Sequence, residues 1–218
     1  YAPAGGGNPY QYTRTSTGHF ANPFSIGPAL LWSPFFVPAH LIAKVAGADG
    51  ADTGTSQLEV SLTLFASFLY AFFAALLVYA LARTRYGPGP AFLGAVAAWL
   101  GGPVLSYALN QPAYPHAAAA FAAALFFWVW DRTRGQKAWT AWAQQGASVG
   151  LAMLVSPSGI VLALPVAARA ATFWTRAARS SERRVRQRLT GAAPPFAAVA
   201  AALCVFAPQL LAWHSIYG

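Results

Sequence analysis

Long apolar runs separated by short polar segments dominate the hydrophobic pattern of this chain. Several of these runs reach the roughly 20 residues that a helix needs to cross a bilayer, and the shorter ones would borrow flanking residues. The pattern predicts an all-α, polytopic membrane protein with about six spanning helices, forming a single bundle over residues 58–213. The six runs cover residues 58–81, 91–109, 117–130, 139–155, 159–174 and 194–213.

An earlier apolar run, residues 28–46, is interrupted by two prolines and followed by a loop with two aspartates but no Lys or Arg. The next run ends in basic residues at Arg83 and so must begin on the external side. A helix over 28–46 would then have both ends outside. We therefore expect an interfacial or re-entrant helix here, with an ordinary spanning helix as the alternative. Residues 1–27, rich in Gly, Pro, Asn, Thr and Tyr, are expected to form an external loop.

The basic residues predict the orientation of the chain in the membrane. Cytoplasmic loops carry an excess of Lys and Arg, so the three basic loops are expected in the cytoplasm. The loops between them hold no Lys or Arg and are expected outside. Eleven of the 14 Lys and Arg residues fall in the basic loops: Arg83, Arg85, Arg132, Arg134, Lys137, Arg176, Arg179, Arg183, Arg184, Arg186 and Arg188.

Composition supports lipid, not water, as the solvent of this chain. Hydrophobic residues make up 57% and charged residues only 9%, against about 25% charged in typical soluble domains. The net charge of +9 would suggest nucleic acid in a soluble protein, but here the charge lies in short clusters between apolar runs, so we expect no nucleic-acid partner. Membrane lipid is the expected partner. The cluster "RAARSSERRVRQR" at 176–188 could bind anionic headgroups or could determine topology alone.

The stretch "LNQPAYPHAA", residues 109–118, places amides, prolines and a histidine between two uncharged runs. Pro112 and Pro115 should break the helix, and His116 should cap or begin the next one. Polar residues near membrane depth favour a functional role, although a turn at the water interface is polar in any case. We take His116 as the best candidate for a site contact.

Other titratable groups give weaker indications. No two histidines stand at a metal-ligand spacing such as i and i+4, so no metal site is predicted, although a divalent cation is possible. Asp49 and Asp52 lie in the Gly- and Ala-rich linker "AGADGADTGTS", and catalysis by either is not expected. Asp131 and Glu182 stand within arginine clusters and are expected to pair with them. No cofactor is evident.

The order of these segments resembles the multi-spanning bacterial glycosyltransferases of the GT-C class, close to protein O-mannosyltransferases and the aminoarabinose transferases of lipid A. The resemblance covers nearly the whole chain, and it depends on the order and spacing of five stretches. These are "NPFSIGPALLWSPFFVPAHLIA" (22–43), "SLTLFASFLYAFFAALLVYALARTRYG" (61–87), "YPHAAAAFAAALFFWVW" (114–130), "GLAMLVSPSGIVLALP" (150–165) and "APQLLAWHSIYG" (207–218).

The resemblance implies transfer of a sugar from a polyprenyl-phosphate donor to an acceptor on the external face. A carboxylate in the first external loop of that family acts as base or positions the acceptor. This chain has no Asp or Glu before Asp49, so we expect the catalytic acid to precede Tyr1 in a longer protein of which this chain is a piece.

The family pattern also implies a set of substrate-binding candidates. Many relatives carry Asp where this chain has His116, and those with His there carry Glu at the position of Gln111. Ser156 stands where a Lys or Arg would hold the donor phosphate, which leaves phosphate contacts to Arg14, to backbone amides or to residues expected outside this piece of the protein. The full set of candidates is His116, Gln111, Tyr114, Asn22, Arg14 and Ser156.

Two other function classes stay open. A transporter or flippase-like protein would be expected to carry charged residues at mid-membrane or paired broken helices. A structural membrane protein without catalysis would need neither. An acidic motif upstream of Tyr1 would favour the enzyme over the structural protein.

Overall fold

The computed structural model describes residues 13–180 and 186–218. Within these ranges the chain is all-helical, with short 3-10 turns at Ala51–Thr53 and Pro157–Leu162 and one isolated β-bridge between Arg14 and Phe20. The predicted all-α class is confirmed, and helices occupy all six apolar runs. The α-helices are α1 (Gly27–Val45), α2 (Gln57–Tyr86), α3 (Pro88–Gly101), α4 (Pro103–Asn110), α5 (His116–Thr133), α6 (Trp139–Val155), α7 (Ala163–Ser180) and α8 (Arg186–Tyr217).

Four helical segments in the described part of the chain are long and apolar enough to cross a membrane, or five if a bent pair counts as one. They are Gly27–Val45, Gln57–Tyr86, Pro157–Arg176 and Pro194–Tyr217, with α3 and α4 as the bent pair. Helices α5 and α6 are not among them, since α6 has only 17 residues and α5, with His116, Asp131 and Arg132 near its ends, is less apolar over its 18 residues. The count of six spans is therefore not confirmed, whereas the multi-pass character is supported.

The run 91–109, predicted as one span, is bent by 50° between α3 and α4. The bend falls at Gly101, Gly102 and Pro103, where Gly102 has extended backbone angles and Pro103 begins the new helix. Proline has no backbone N–H to continue the hydrogen-bond ladder and its ring clashes with the preceding turn, so the axis changes direction here.

Helix α6 lies at the centre of the packing and contacts α1, α5, α7 and α8. Its closest neighbour is α8, and small residues form the contact on both sides. A Cβ placed on Gly146 would lie 1.8 Å from the Ala198 carbonyl oxygen, and one on Gly150 would lie 2.5 Å from that of Ala202. Moving four residues along α6, from Gly146 to Gly150, moves the contact four residues forward along α8, from Ala198 to Ala202. Helices α6 and α8 therefore run parallel. Small residues let helix backbones approach closely in lipid, where van der Waals packing replaces the hydrophobic effect.

Helices α2 and α5 also run parallel. Ala71 packs with Ala117 near the start of α5, and Arg85 pairs with Asp131 near its end. The expected pairing of Asp131 with the basic cluster is thereby confirmed, and Arg134 approaches the same carboxylate at 3.5 Å. Glu182, the other acid expected to pair, lies outside the described residues.

Helix α2 extends well beyond the first residue of α5, and α1 packs against this extension. Residues 57–70 precede the level of Ala117, which at 1.5 Å per residue is about 20 Å of helix. Helix α1 runs antiparallel to it, since Tyr70 Oη donates to the Leu31 carbonyl and His40 contacts Glu59. The start of α1 meets the end of α6, because a Cβ on Gly27 would overlap the Leu154 carbonyl.

We call α1 together with residues 57–70 the overhang. The base of the overhang lies at the level where α5 begins and α6 ends. From there the overhang extends away from both helices. Helix α1 therefore does not lie beside the lengths of α5 and α6. The helix predicted over 28–46 is present at 27–45. It runs antiparallel to α2 and is long and apolar enough to cross a membrane, so both the interfacial placement and the spanning alternative stay predictions. Large apolar side chains of α1 are exposed, including Leu41 at 60% and Ile42 at 57%.

The close approach of α6 and α8 gives a stability prediction. Gly146→Ala should lower the free energy of unfolding by about 1–3 kcal/mol, because a methyl group there overlaps backbone that cannot move independently of α8. Gly94→Ala in α3 is the matched control. A Cβ at Gly94 meets no atom of the described chain within 4 Å, so this variant should be neutral or gain up to about 1 kcal/mol from helix propensity.

Thermal stability of the two variants, measured by size-exclusion chromatography after heating in detergent, checks this expectation. Equal melting temperatures would contradict the assigned packing of α6 against α8.

Candidate functional site

The break between α4 and α5 gathers three of the six predicted site residues. Helix α4 ends at Asn110 and α5 begins at His116, as the two prolines predicted. The His116 ring lies 4.1 Å from the Tyr107 ring and 5.8 Å from the Tyr114 ring, centroid to centroid, with the Tyr114 plane almost parallel to it. The backbone carbonyl of Gln111 accepts a hydrogen bond of 3.1 Å from Tyr114 N–H. The side chains of Gln111, Tyr114 and His116 are exposed.

Contacts with α2 hold this break in place. Ser67 Oγ donates a 2.6 Å hydrogen bond to the Pro112 carbonyl, which satisfies an acceptor left free where the helix is broken. Ala71, Ala108 and Ala117 form a small buried cluster directly beside it. The break therefore lies at the base of the overhang, about 20 Å along α2 from Ser56. His116 is exposed but recessed relative to the start of α2.

Arg14 and Asn22 lie elsewhere and make local contacts. Arg14 Nη1 donates to the Gly18 carbonyl at 2.7 Å, and its guanidinium lies 4.6 Å from the centroid of the Phe20 ring. Asn22 Oδ1 accepts from Phe24 N–H at 3.0 Å, the local turn that a short amide side chain favours.

The turn around Arg14 is attached to the end of α8. Ser16 Oγ donates to the Tyr217 carbonyl at 3.2 Å and Thr17 Oγ1 to the Ile216 carbonyl at 2.5 Å. A few residues further on, Ile26 N–H donates to the buried Gln209 Oε1 at 2.8 Å. These contacts position the segment before α1 against α8.

Ser156 occupies a third place, between α6 and the 3-10 turn that follows it. Its hydroxyl lies 2.8 Å from that of Ser158. The six candidates therefore fall into three groups on different elements, and among the described residues no hydrogen bond or ring contact joins one group to another. Of the predicted set, only Gln111, Tyr114 and His116 form a cluster.

The overhang contains a buried glutamate, Glu59, paired with His40, and the sequence analysis did not predict this pair. Glu59 is fully buried, and its Oε1 lies 2.5 Å from His40 Nδ1. Its Oε2 accepts from Ser56 N–H at 2.7 Å, and Ser56 Oγ accepts in return from Glu59 N–H. This reciprocal pair is a capping box, for which Ser56 followed three residues later by Glu59 is the sequence signal. His40 joins α1 to the start of α2.

Arg169 is the second group that the sequence analysis missed. It lies within the apolar run 159–174, and a lone charge in such a run is itself a signal. Its Nη1 donates to Gln145 Oε1 at 2.6 Å, and its Nη2 donates to the Gln136 carbonyl. The guanidinium also lies 3.7 Å from the centroid of the Trp142 indole. Arg169 thereby connects α7 to α6 and to the loop before α6.

Metal binding finds no support in this part of the chain. Among residues 13–180 and 186–218, no group of three or more His, Cys, Asp or Glu side chains stands close enough to hold an ion. The possibility of a divalent cation stays a sequence expectation.

Comparisons with known proteins give no further assignment. The chain matches no protein-family model, no curated protein and no solved structure. The likeness to GT-C glycosyltransferases therefore stays a resemblance of segment order.

The Glu59 contacts give a testable prediction about the overhang. Glu59→Gln removes one hydrogen-bond acceptor of the pair and the charge that attracts His40, so α1 should loosen from α2 and the melting temperature should fall. Asp52→Asn, at an exposed position in the neighbouring turn, is the matched control and should melt like the parent chain. Thermal unfolding in detergent measures both variants, and an unchanged melting temperature for Glu59→Gln would show that the pair does not stabilise the overhang.

Proposed function

We propose that this protein is a membrane glycosyltransferase that moves a sugar from a polyprenyl-phosphate donor to an acceptor at the external face. The observation that carries the proposal is the His116 cluster. It places an exposed imidazole and two tyrosine rings at a helix break, recessed beside an apolar bundle. A donor attached to a lipid presents its phosphate close to the membrane surface, so an exposed polar site at a helix break beside the bundle suits it.

The chemistry of the cluster fits a phosphate-linked sugar. A protonated imidazole can donate charge-assisted hydrogen bonds to phosphate oxygens, and a neutral one can orient an acceptor hydroxyl. His116 also forms the first residue of α5, where free backbone N–H groups and the helix dipole favour an anion. Tyr107 and Tyr114 add two hydroxyl groups that can donate to a sugar or a phosphate.

The proposal assigns substrate contacts, not a general base. Glu59 is buried in the capping box and is engaged by His40, which indicates a structural role. Arg14, Asn22 and Ser156 lie on other elements, so the proposal no longer includes them in one site with His116. The orientation, with the Arg-rich loops in the cytoplasm of a bacterial inner membrane, belongs to the same proposal.

A transporter is the second candidate, and the bend between α3 and α4 favours it. Discontinuous helices line the substrate sites of many transporters. The bent pair ends at Asn110 and so leads directly into the His116 cluster. A transporter would move its substrate across a sealed membrane without making or breaking a bond, which separates the two candidates experimentally.

The full-length protein with His116→Ala tests the proposed transferase. We expect sugar transfer from a polyprenyl-phosphate donor to fall by at least about tenfold, because the loss of one charge-assisted contact to phosphate removes roughly 1.5–3 kcal/mol. The abundance of the protein in the membrane should not change, since His116 is exposed. Transfer of radiolabelled sugar in membrane vesicles gives the rate.

His214→Ala is the matched control, because His214 is exposed near the end of α8 and outside the cluster. It should retain the parent rate. Equal rates for His116→Ala and the parent would refute the assigned contact, and substrate uptake into vesicles without product formation would favour the transporter.

A further inference from the structure

Two cavities meet at Trp142, on the half of the bundle opposite the His116 cluster. One is basic, has a volume of about 500 Å³ and is lined mainly by the α5–α6 loop and one face of α7. The other is apolar, has a volume of about 300 Å³ and lies between α6, α7 and α8. Trp142 is 1% exposed and lines both cavities.

The helical repeat of α7 explains why the two cavities are side by side. Arg169, Thr172, Phe173 and Arg176 follow the i, i+3, i+4, i+7 spacing and share one face, which lines the basic cavity. Ala163, Val166, Ala167, Ala170 and Trp174 share the adjacent face, which lines the apolar groove. Helix α7 is thus amphipathic, with a charged face on the basic cavity and an adjacent apolar face on the groove.

The basic cavity carries four positive charges. Arg134, Lys137, Arg169 and Arg176 line it, and no Asp or Glu stands among its described lining residues. Asp131, the nearest acid in sequence, pairs with Arg85 and lies 3.5 Å from Arg134. Four cations around one cavity create a positive potential that attracts an anion.

Arg169 is held in a fixed position at this site. Its two hydrogen bonds to Gln145 and to the Gln136 carbonyl, and its stacking on Trp142, occupy only part of its donor capacity. A guanidinium has five N–H donors, so it can still donate to a phosphate. Phe173 packs edge-on against Trp142 at 5.7 Å and completes the wall between the cavities.

We propose that the two cavities together bind an anionic phospholipid, with the headgroup phosphate in the basic cavity and an acyl chain in the apolar groove. A soluble anion would use only the basic cavity, whereas an amphiphile with one anionic headgroup matches both. The groove is lined by small and apolar side chains, among them Gly146, Val149 and Ala202, which provide a surface for a hydrocarbon chain. Basic pockets between membrane helices are a known mode of anionic headgroup recognition.

The test measures binding of phosphatidylglycerol to the purified full-length protein by native mass spectrometry. Phosphatidylcholine serves as the zwitterionic comparison, and glycerol 3-phosphate as the headgroup without chains. Phosphatidylglycerol should bind at least about tenfold more tightly than either, a difference of about 1.4 kcal/mol or more. Equal affinity for phosphatidylcholine would overturn the headgroup assignment, and equal affinity for glycerol 3-phosphate would overturn the acyl-chain assignment.

Substitutions in each cavity test the headgroup contacts and the acyl-chain contacts separately. Lys137→Gln and Arg176→Gln, each at an exposed position, should weaken phosphatidylglycerol binding about tenfold, or by about 1.4 kcal/mol. Arg132→Gln is the matched control. Arg132, in the last turn of α5 next to the basic loop, stacks on Trp128 and does not line the cavity, so its loss should leave the affinity unchanged. Arg169→Gln should weaken phosphatidylglycerol binding most. If Arg169→Gln fails to fold, Lys137→Gln and Arg176→Gln still test the headgroup assignment.

Ala171→Phe places a ring in the apolar groove, which Ala171 lines. It should weaken phosphatidylglycerol binding and leave the weak binding of glycerol 3-phosphate unchanged. An equal loss for Arg132→Gln and Lys137→Gln would show that the charge of the loop acts without a defined site, and unchanged lipid affinity in Ala171→Phe would show that the groove does not take the chain. Either outcome would overturn the proposal.

Discussion

The close backbone contact between α6 and α8 is the interaction on which the remaining architecture depends. Gly146 and Gly150 leave no room for a side chain against α8. In lipid, helices gain little from burying apolar surface against each other, so association depends on how closely the backbones pack. Helix α6 is the one that α1, α5, α7 and α8 all contact, and its position determines which helix faces become cavities.

The two ends of the bundle have different chemistry because the helices end differently. At one end, proline breaks the helix between α4 and α5, and Ser67 donates to the freed Pro112 carbonyl beside the rings around His116. At the other end, Arg169 binds the loop before α6 through Gln145 and the Gln136 carbonyl. The proposed donor site and the proposed lipid site therefore lie at opposite ends of the same helices. A lipid bound at the second site would stabilise the packing of α6, α7 and α8.

Much of the fold could be predicted from the sequence, because long apolar runs bounded by prolines and basic residues specify helices with few alternatives. The break before His116 was predicted in this way. The bend at Gly102 and the capping box at Ser56 also have local signals in the sequence, namely a Gly before Pro103 and a Ser followed three residues later by Glu59. The lengths of the apolar runs alone do not reveal them.

The site was harder to predict, because contact requires the tertiary fold. Arg169 meets Gln145 and Gln136 across 24 and 33 residues, and a single sequence gives no measure of such distances. For the same reason, a resemblance of segment order placed Arg14, Asn22 and Ser156 in one set with His116, although the chain folds them onto separate elements. Positions adjacent in a motif can be inferred from sequence, whereas distances between motifs depend on packing.

The proposed orientation, which is central to this account, puts the His116 end and the Arg169 end of the bundle on opposite sides of a membrane. Single cysteines tested with a membrane-impermeant thiol reagent measure this directly, using Ser158→Cys and Gln136→Cys in a Cys204→Ser background. Both positions are exposed. The account predicts that Ser158→Cys is labelled in intact cells and that Gln136→Cys is labelled only after the membrane is permeabilised. Labelling of both variants from the same side would contradict it.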